Sequence, residues 1–142
     1  MVEVLESYSA AETFAYGKAL GEKAAQGEVY SLTGDLGVGK TVFTQGVAAG
    51  LGITEPVSSP TFTILHSYEE GRIPLYHFDV YRIGDVEEME EIGYEDCFYG
   101  EGVCLVEWAD QIQEILPEDC IRIIIEKDLT KGFDYRRITV ER

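Results

Sequence analysis

The amino-acid sequence predicts an α/β fold, a three-layer α/β/α sandwich built around one mixed sheet. Three observations support this prediction. Residues 28–50 (EVYSLTGDLGVGKTVFTQGVAAG) read as a short strand, a glycine-rich loop and a helix in direct succession. Two further apolar runs, which lead to Asp79 and to Glu107, read as central strands of the same sheet. Two β-rich runs at residues 121–126 and 136–140 close the chain and are expected at one edge.

The elements follow one another without a repeat or a linker, so the 142 residues are expected to form a single domain, residues 1–142. A first helix is predicted over residues 9–25, with Ser9 as N-cap and Glu12 completing a capping box. The strand at 29–32 and the loop come next, then a second helix at 40–51 that Gly52 ends. The remaining prediction comprises a loop at 53–59, strands at 61–68 and 75–81 joined by a turn at 69–72, an acidic helix at 85–92, a strand at 103–107, a short segment at 109–115, and the two C-terminal strands separated by a turn at 128–134.

The glycine-rich loop has the spacing Gly34-x-x-x-x-Gly39-Lys40-Thr41, which is the Walker A pattern between the strand and the helix that it requires. Glycines let successive backbone amides turn inward around an anion at a helix N-terminus. Lys40 supplies a positive charge for the β- and γ-phosphates, and the Thr41 hydroxyl suits a magnesium ion. The pattern therefore predicts a P-loop nucleotide site, with a glycine-rich hairpin turn as the alternative. The loop residues expected to contact the nucleotide are Asp35, Leu36, Gly37, Val38 and Gly39.

Phosphoryl transfer also needs a carboxylate that holds the metal ion. Two acids compete for this role: Asp79 in the run HFDVYR, and Glu107 at the end of the apolar run VCLV. Glu107 fits better, because ligands of open α/β sheets bind outside the carboxyl ends of the strands. A solvated acid at a strand end is the alternative interpretation of each residue.

The composition restricts the possible partners and the compartment. Eleven basic against 27 acidic residues give a formal net charge of −16 and leave no basic stripe that could bind nucleic acid. A basic protein partner would complement this surface better. The alternative interpretation is that the acidic residues serve only solubility. The acidic N-terminus lacks a signal-peptide pattern and no apolar run is long enough for a membrane span, which predicts a cytoplasmic protein with no membrane contact. The spacing of Cys97, Cys104 and Cys120 matches neither a zinc site nor a disulfide framework, so they are interpreted as reduced and mostly packing residues.

Four motifs in this order, GDLGVGKT, SSPTFT, HFDVYR and LVEW, resemble the TsaE (YjeE) family, the small bacterial ATPases required for making threonylcarbamoyladenosine in tRNA. The resemblance covers nearly the whole chain. It implies a P-loop ATPase that takes ATP and Mg²⁺ and that hydrolyses ATP slowly when isolated. It also implies TsaB and TsaD of the threonylcarbamoyl-transfer machinery as partners, with tRNA contacted only indirectly.

The resemblance further implies roles for particular residues. Lys40 and Thr41 would hold the phosphates and magnesium, Glu107 would complete the metal site, and Asp79 would be needed for ATP turnover. Residues 58–63 would form a switch-like loop beside the γ-phosphate. Trp108 would lie next to the γ-phosphate site. Ser9 and Arg136 would flank the nucleotide base.

A small-molecule P-loop kinase is the main alternative, since it would share the phosphate loop. Such a kinase needs an acceptor pocket and usually an arginine-bearing lid, and the arginines at 122, 136 and 137 lie instead in strand-like runs. A GTPase is disfavoured because the Asn-Lys-x-Asp motif does not occur. His66 and His77 are interpreted as packed or hydrogen-bonded residues rather than general bases. Arg82 fits either a transition-state cation or a partner of nearby acids.

Overall fold

The computed structural model describes residues 1–34, 37–58, 60 and 64–142. In these ranges the elements are β1 (Val2–Ser7), α1 (Ala10–Lys23), β2 (Val29–Thr33), α2 (Lys40–Gly50), β3 (Leu65–Tyr68), β4 (Leu75–Asp79), α3 (Glu87–Glu91), α4 (Tyr94–Phe98), β5 (Val103–Glu107), β6 (Ile121–Lys127) and β7 (Arg136–Glu141), with 3₁₀ helices at Ala109–Ile115 and Leu129–Lys131. The strands form one seven-stranded sheet in the order β1-β7-β6-β2-β5-β4-β3.

The centre of the sheet is parallel and its flanks are antiparallel. β2 pairs in parallel with β5 on one side and β6 on the other, and β4 pairs in parallel with β5. β3, β7 and β1 are antiparallel to their neighbours. The carboxyl ends of β2, β4 and β5 therefore lie at the same end of the sheet, where the phosphate loop leaves β2. At this end of the sheet Asp79 and Glu107 are directly opposite each other in the β4–β5 register.

Alternate side chains of the strands form an apolar layer on each face of the sheet. One face packs against α1 and α2, where Phe43 and Val47 are buried. The other packs against α3, α4 and the 3₁₀ helix Ala109–Ile115, where Met89 and Phe98 are buried. The predicted three-layer α/β/α sandwich with a mixed sheet is confirmed.

The first two helices pack backbone to backbone. A Cβ atom added at Gly46 of α2 would lie 3.0 Å from the Lys18 amide nitrogen of α1 and would also collide with the Phe14 carbonyl oxygen. Neither backbone atom can rotate away as a flexible side chain would. This approach holds α1 beside the phosphate loop, where a Cβ at Gly39 would meet Thr13 of α1 at 4.0 Å.

Replacing Gly46 with valine is expected to destabilise the protein by about 3 kcal/mol, because overpacking against backbone outweighs the gain in helix propensity of about 1 kcal/mol or less. Urea unfolding followed by circular dichroism would measure this loss. Gln45→Val is the matched control, since Gln45 is exposed on the same helix, and it should cost less than about 1 kcal/mol. Equal stability of the two variants would contradict the close packing described here.

Ser9 is confirmed as the N-cap of α1, but the Glu12 carboxylate accepts from the amide of Tyr8 instead of that of Ser9, which a capping box would require. The Glu12 amide donates to Ser9 Oγ at 3.1 Å, and the Tyr8 amide donates to Glu12 Oε1 at 2.8 Å. The α1 helix ends at Lys23, two residues before the predicted end. At this end the Arg72 guanidinium donates to the carbonyl oxygens of Gly21 and Ala24 at 2.7 and 2.6 Å. The last carbonyl groups of a helix have no hydrogen-bond partner within the helix, and Arg72 supplies one.

Several predicted boundaries differ from the structure. The strand predicted at 75–81 ends at Asp79, where Asp79 Oδ1 accepts from the Tyr81 amide and turns the chain. The strand predicted at 61–68 begins at Leu65, and residues 61–63 of that prediction lie outside the described residues. The acidic helix predicted at 85–92 is the shorter α3, and α4 follows it after Gly93, whose φ of +75° breaks the helical path.

The strand β1 was not predicted, and it corrects the expectation that the C-terminal strands form the edge. β7 lies next to the edge, and β1 is the outermost strand on that side. It pairs only with β7, and its Val2 and Val4 are 61% and 55% exposed. Because an edge strand is held mainly by backbone pairing, little burial pattern marks it in the sequence.

The cysteines behave as packing residues. Cys97, Cys104 and Cys120 are free thiols; Cys97 of α4 and Cys104 of β5 are buried in the same apolar cluster. Burial raises the pKa of each thiol, which keeps the reactive thiolate scarce at neutral pH. Among the helices that the structure describes, none combines the length and the apolarity needed to cross a bilayer.

Candidate functional site

The phosphate loop joins the end of β2 to the start of α2. Gly37 and Gly39 have φ angles of +76° and +105°, a region that glycine enters without strain. Gly39 is the N-cap of α2 and has no side chain that could cap the first amides of the helix, which is the kind of helix start that binds anions. Lys40 and the exposed Thr41 occupy the first turn. Asp35 and Leu36, which the sequence also predicts as contacts, lie outside the described residues.

A chain of three buried polar groups connects this loop to the neighbouring strands. Lys40 Nζ lies 3.7 Å from Glu107 Oε1, and the other carboxylate oxygen, Oε2, lies 2.7 Å from His77 Nε2. The side chains of Lys40 and Glu107 are 10% and 8% exposed. Buried charges require such pairing, because isolated charges are costly to remove from water. Lys40, which the sequence predicts to bind phosphate, and Glu107, which it predicts to bind the metal ion, thus lie next to each other.

Strand alternation explains why these acids meet the loop. The preceding residues of β5 are buried, and Glu107 ends the strand on the same side of the sheet as Leu105. Asp79 lies opposite Glu107 at the end of β4, and both residues are 6% exposed. The amide of Val80 donates to the Glu107 carbonyl oxygen at 3.2 Å, which joins the two strand ends beyond the ladder.

Trp108 stands at the open side of this cluster. Its φ of +63° is unusual for a bulky residue and turns the chain sharply after Glu107. Lys40 Nζ lies 5.0 Å from the centre of the Trp108 ring, and the Tyr81 ring lies 4.8 Å from it. Trp108 is 38% exposed, so it borders the site without being sealed in the core. The structure therefore places Trp108 beside Lys40.

A cavity of about 200 Å³ adjoins the phosphate loop on the side of α1 and β7. Arg136 borders it and ties β7 to the loop: its Nε donates to the Val38 carbonyl oxygen at 2.7 Å, and its guanidinium also donates to the carbonyl oxygens of Phe133 and Tyr135. Ser9 does not line the cavity; it caps α1. The lining residues are Ala10, Thr13, Gly37, Val38, Gly39, Val42, Asp134 and Arg136.

The region predicted as a switch-like loop is described only in part. The Ser58 amide donates to the Tyr68 hydroxyl at 3.4 Å, and the same hydroxyl lies 3.2 Å from His66 Nδ1. His66 is therefore hydrogen-bonded, as predicted. Ser59 and residues 61–63 lie outside the described residues, and Arg82 is exposed.

Sequence reasoning does not identify two neighbours of the site. The interpretation of His77 as a packed or hydrogen-bonded residue is confirmed, but it does not identify Glu107 as the hydrogen-bond partner. The available signal was the spacing of His77 and Asp79, which puts both side chains on one face of a strand. Thr13 was not singled out, because only the packing of α1 on α2 carries it to the cavity.

Comparison with known proteins identifies the family to which the chain is similar. The family model described as "Threonylcarbamoyl adenosine biosynthesis protein TsaE" matches residues 7–138. The chain is 52% identical over 128 residues to the tRNA threonylcarbamoyladenosine biosynthesis protein TsaE of Bacillus subtilis, covering 90% of this chain and 78% of that protein. It is 45% identical over 117 residues to the protein of the same name from Treponema pallidum, covering 82% and 86%.

The fold has a close counterpart among solved structures. The crystal structure of Bacillus subtilis YdiB superposes with a TM-score of 0.82 at 44% sequence identity, covering 99% of this chain and 86% of that one. The family match spans both the phosphate loop and the strand ends that carry Asp79 and Glu107. The chain belongs to the TsaE family.

Proposed function

We propose that this protein is a magnesium-dependent P-loop ATPase, and that it serves as an accessory protein of the machinery that makes threonylcarbamoyladenosine in tRNA. The observation that carries the proposal is the contact of Lys40 with Glu107 at 3.7 Å, in front of the N-terminus of α2. A fixed cation, a buried carboxylate and free helix amides at one place are the groups that phosphoryl transfer uses.

The residues present fit a magnesium ion. Thr41 and Glu107 offer hydroxyl and carboxylate oxygens, the hard donors that Mg²⁺ prefers, and Mg²⁺ is usually bound by one or two carboxylates together with substrate phosphates. When bound, the ion would neutralise charge on the phosphates. Lys40 would then exchange its carboxylate partner for phosphate oxygens, so the ion pair seen here is the arrangement that nucleotide replaces.

The surroundings of Glu107 and Asp79 support a different role for each of the two acids. Glu107 touches the phosphate-site lysine, which supports a role in holding the metal. Asp79 lies opposite it in register and is equally buried, which supports a role in turnover beside the reacting phosphate. The cavity bordered by Arg136 is the proposed place of the nucleoside, with Ser9 acting through the position of α1 rather than by contact.

The proposed partners are TsaB and TsaD, with the chain acting in the cytoplasm. A net charge of −16 argues that other subunits handle the tRNA phosphates, because tRNA binding depends on Lys and Arg. Coupled nucleotide hydrolases commonly turn over slowly until a partner completes or orders the site. GTPase-activating proteins act on GTPases in this way. Hydrolysis would accordingly be slow in the isolated chain and faster in the assembly.

The test is to mix the purified chain with TsaB and TsaD and to follow phosphate release from Mg-ATP. We expect stimulation of at least about tenfold, well within the range that partner-supplied groups contribute. The same mixture made with Lys40→Ala supplies the background. Failure of the partners to raise turnover, or transfer of the phosphate to a small metabolite, would contradict the proposal, and the second result would indicate a kinase. Tight binding of tRNA by the chain alone in moderate salt would contradict the argument from charge.

A further inference from the structure

We propose that His77 is a positioning residue, which fixes the Glu107 carboxylate in the orientation needed for magnesium-dependent turnover. The inference rests on the proposed ATPase function and adds a residue to that site. His77 would touch neither nucleotide nor metal; it would act through Glu107.

The geometry divides the two oxygens of Glu107 between two partners. Oε2 lies 2.7 Å from His77 Nε2, deep in the sheet, and Oε1 faces Lys40 on the side of the phosphate loop. His77 is 1% exposed and Glu107 is 6% exposed, so the contact is shielded from water. A carboxylate held at one oxygen cannot rotate freely, and its other oxygen stays directed at the loop.

The hydrogen-bonding of the imidazole gives the direction of this bond. His77 Nδ1 is buried and has no hydrogen-bond partner among the described residues. An N–H group there would lose its hydrogen bond to water without a replacement, whereas a bare ring nitrogen loses less. The favoured tautomer of the neutral ring therefore carries its proton on Nε2 and donates it to Glu107.

Burial of a histidine at this point also needs a reason beyond packing. Alternation on β4 puts His77 on the face that Leu75 and the core share, where an aliphatic residue would pack without desolvating a polar ring. The register puts His77 opposite Leu105, one side-chain layer below Glu107, and so within diagonal reach of its carboxylate. The hydrogen bond to Glu107 is what compensates the buried ring. Groups that orient a metal-binding carboxylate in this way commonly tune metal affinity.

The test compares two substitutions of the same residue. His77→Phe keeps an aromatic ring of similar shape but has no donor, and His77→Gln keeps an amide donor near the position of Nε2. We expect His77→Phe to lower kcat with Mg-ATP by about 10- to 100-fold and to weaken the magnesium dependence of nucleotide binding, measured by calorimetry with and without Mg²⁺. Nucleotide affinity without magnesium should stay within about twofold, because Lys40 and the loop amides are untouched. His77→Gln should recover most of the loss.

Urea unfolding of each variant shows whether the fold is retained, and Tyr76→Phe is the matched control because Tyr76 lies next to His77 on β4 but on the opposite face of the strand. If His77→Gln and His77→Phe lose magnesium dependence equally while both remain folded, the donor has no role and the inference is overturned. If His77→Phe keeps the wild-type magnesium dependence, it is also overturned. A wild-type chain whose nucleotide binding ignores magnesium would overturn the ATPase proposal itself, so the two failures are distinguishable.

Discussion

Replacing Lys40 with alanine is expected to lower kcat/KM for ATP by at least about 100-fold, the usual effect of removing one preorganised group that stabilises transition-state charge. The Lys40 side chain is 10% exposed and lies at the start of α2, where it is proposed to supply the positive charge for the β- and γ-phosphates. Binding should also weaken, because the lysine is proposed to contact the phosphates before the reaction begins. Calorimetric titration with Mg-ATP and a phosphate-release assay would measure the two effects.

Lys23→Ala is the matched control for this change. Lys23 is exposed in the last turn of α1, about 20 Å along the helix from the cavity-lining Ala10 at 1.5 Å per residue. It should leave both binding and turnover unchanged. Wild-type affinity for ATP in Lys40→Ala would mean that the loop is not the phosphate site.

Replacing Glu107 with glutamine is expected to reduce magnesium-dependent turnover by at least roughly 100-fold. A metal ion stabilises the charge of the transition state by several kcal/mol, and losing that stabilisation slows the reaction by this much or more. The amide matches the carboxylate in shape and can still accept from His77 Nε2, so packing is preserved. Binding of nucleotide without magnesium should persist or tighten, because the carboxylate that held Lys40 at 3.7 Å has lost its charge. Phosphate release and calorimetry with and without Mg²⁺ would separate these effects.

Two comparisons sharpen this experiment. Glu126→Gln removes an exposed acid paired with Arg137 and should change nothing measurable at the site. Asp79→Asn should lower turnover more than affinity, if Asp79 serves the reaction rather than binding. Equal losses in turnover and affinity would reduce Asp79 to a structural acid. Undiminished magnesium dependence in Glu107→Gln would remove Glu107 from the metal site.

The parts of the fold that the sequence predicted well have strong local signals. The bounds predicted for β5 agree with the structure, because a central parallel strand buried on both faces is a continuous apolar run. The phosphate loop and the start of α2 carry their own glycine and lysine pattern, and Ser9 with Glu12 marks the start of α1. In each case neighbours in sequence determine the structure.

The parts that were missed depend on contacts between distant segments. β1 is held by pairing with β7 at the other end of the chain, so its residues carry no burial pattern of their own. The spacing of His77 and Asp79 puts both on one face of β4, but the contact of His77 with Glu107 depends on the parallel register of β4 and β5, which the sequence does not specify. Thr13 reaches the cavity because glycines allow α1 and α2 to approach closely. Such placement follows from tertiary packing rather than from local propensity.

The most direct test of the site uses the tryptophan that it contains. Trp108 is the only tryptophan in the sequence, is 38% exposed and lies 5.0 Å from Lys40 Nζ, so emission excited selectively at the indole should report on the phosphate loop. Titration of the chain with Mg-ATP should give a saturable change in Trp108 fluorescence that Lys40→Ala abolishes. A flat titration of the wild-type chain, with no heat of ATP binding in calorimetry, would contradict the claim that this loop and Glu107 form an ATP and magnesium site.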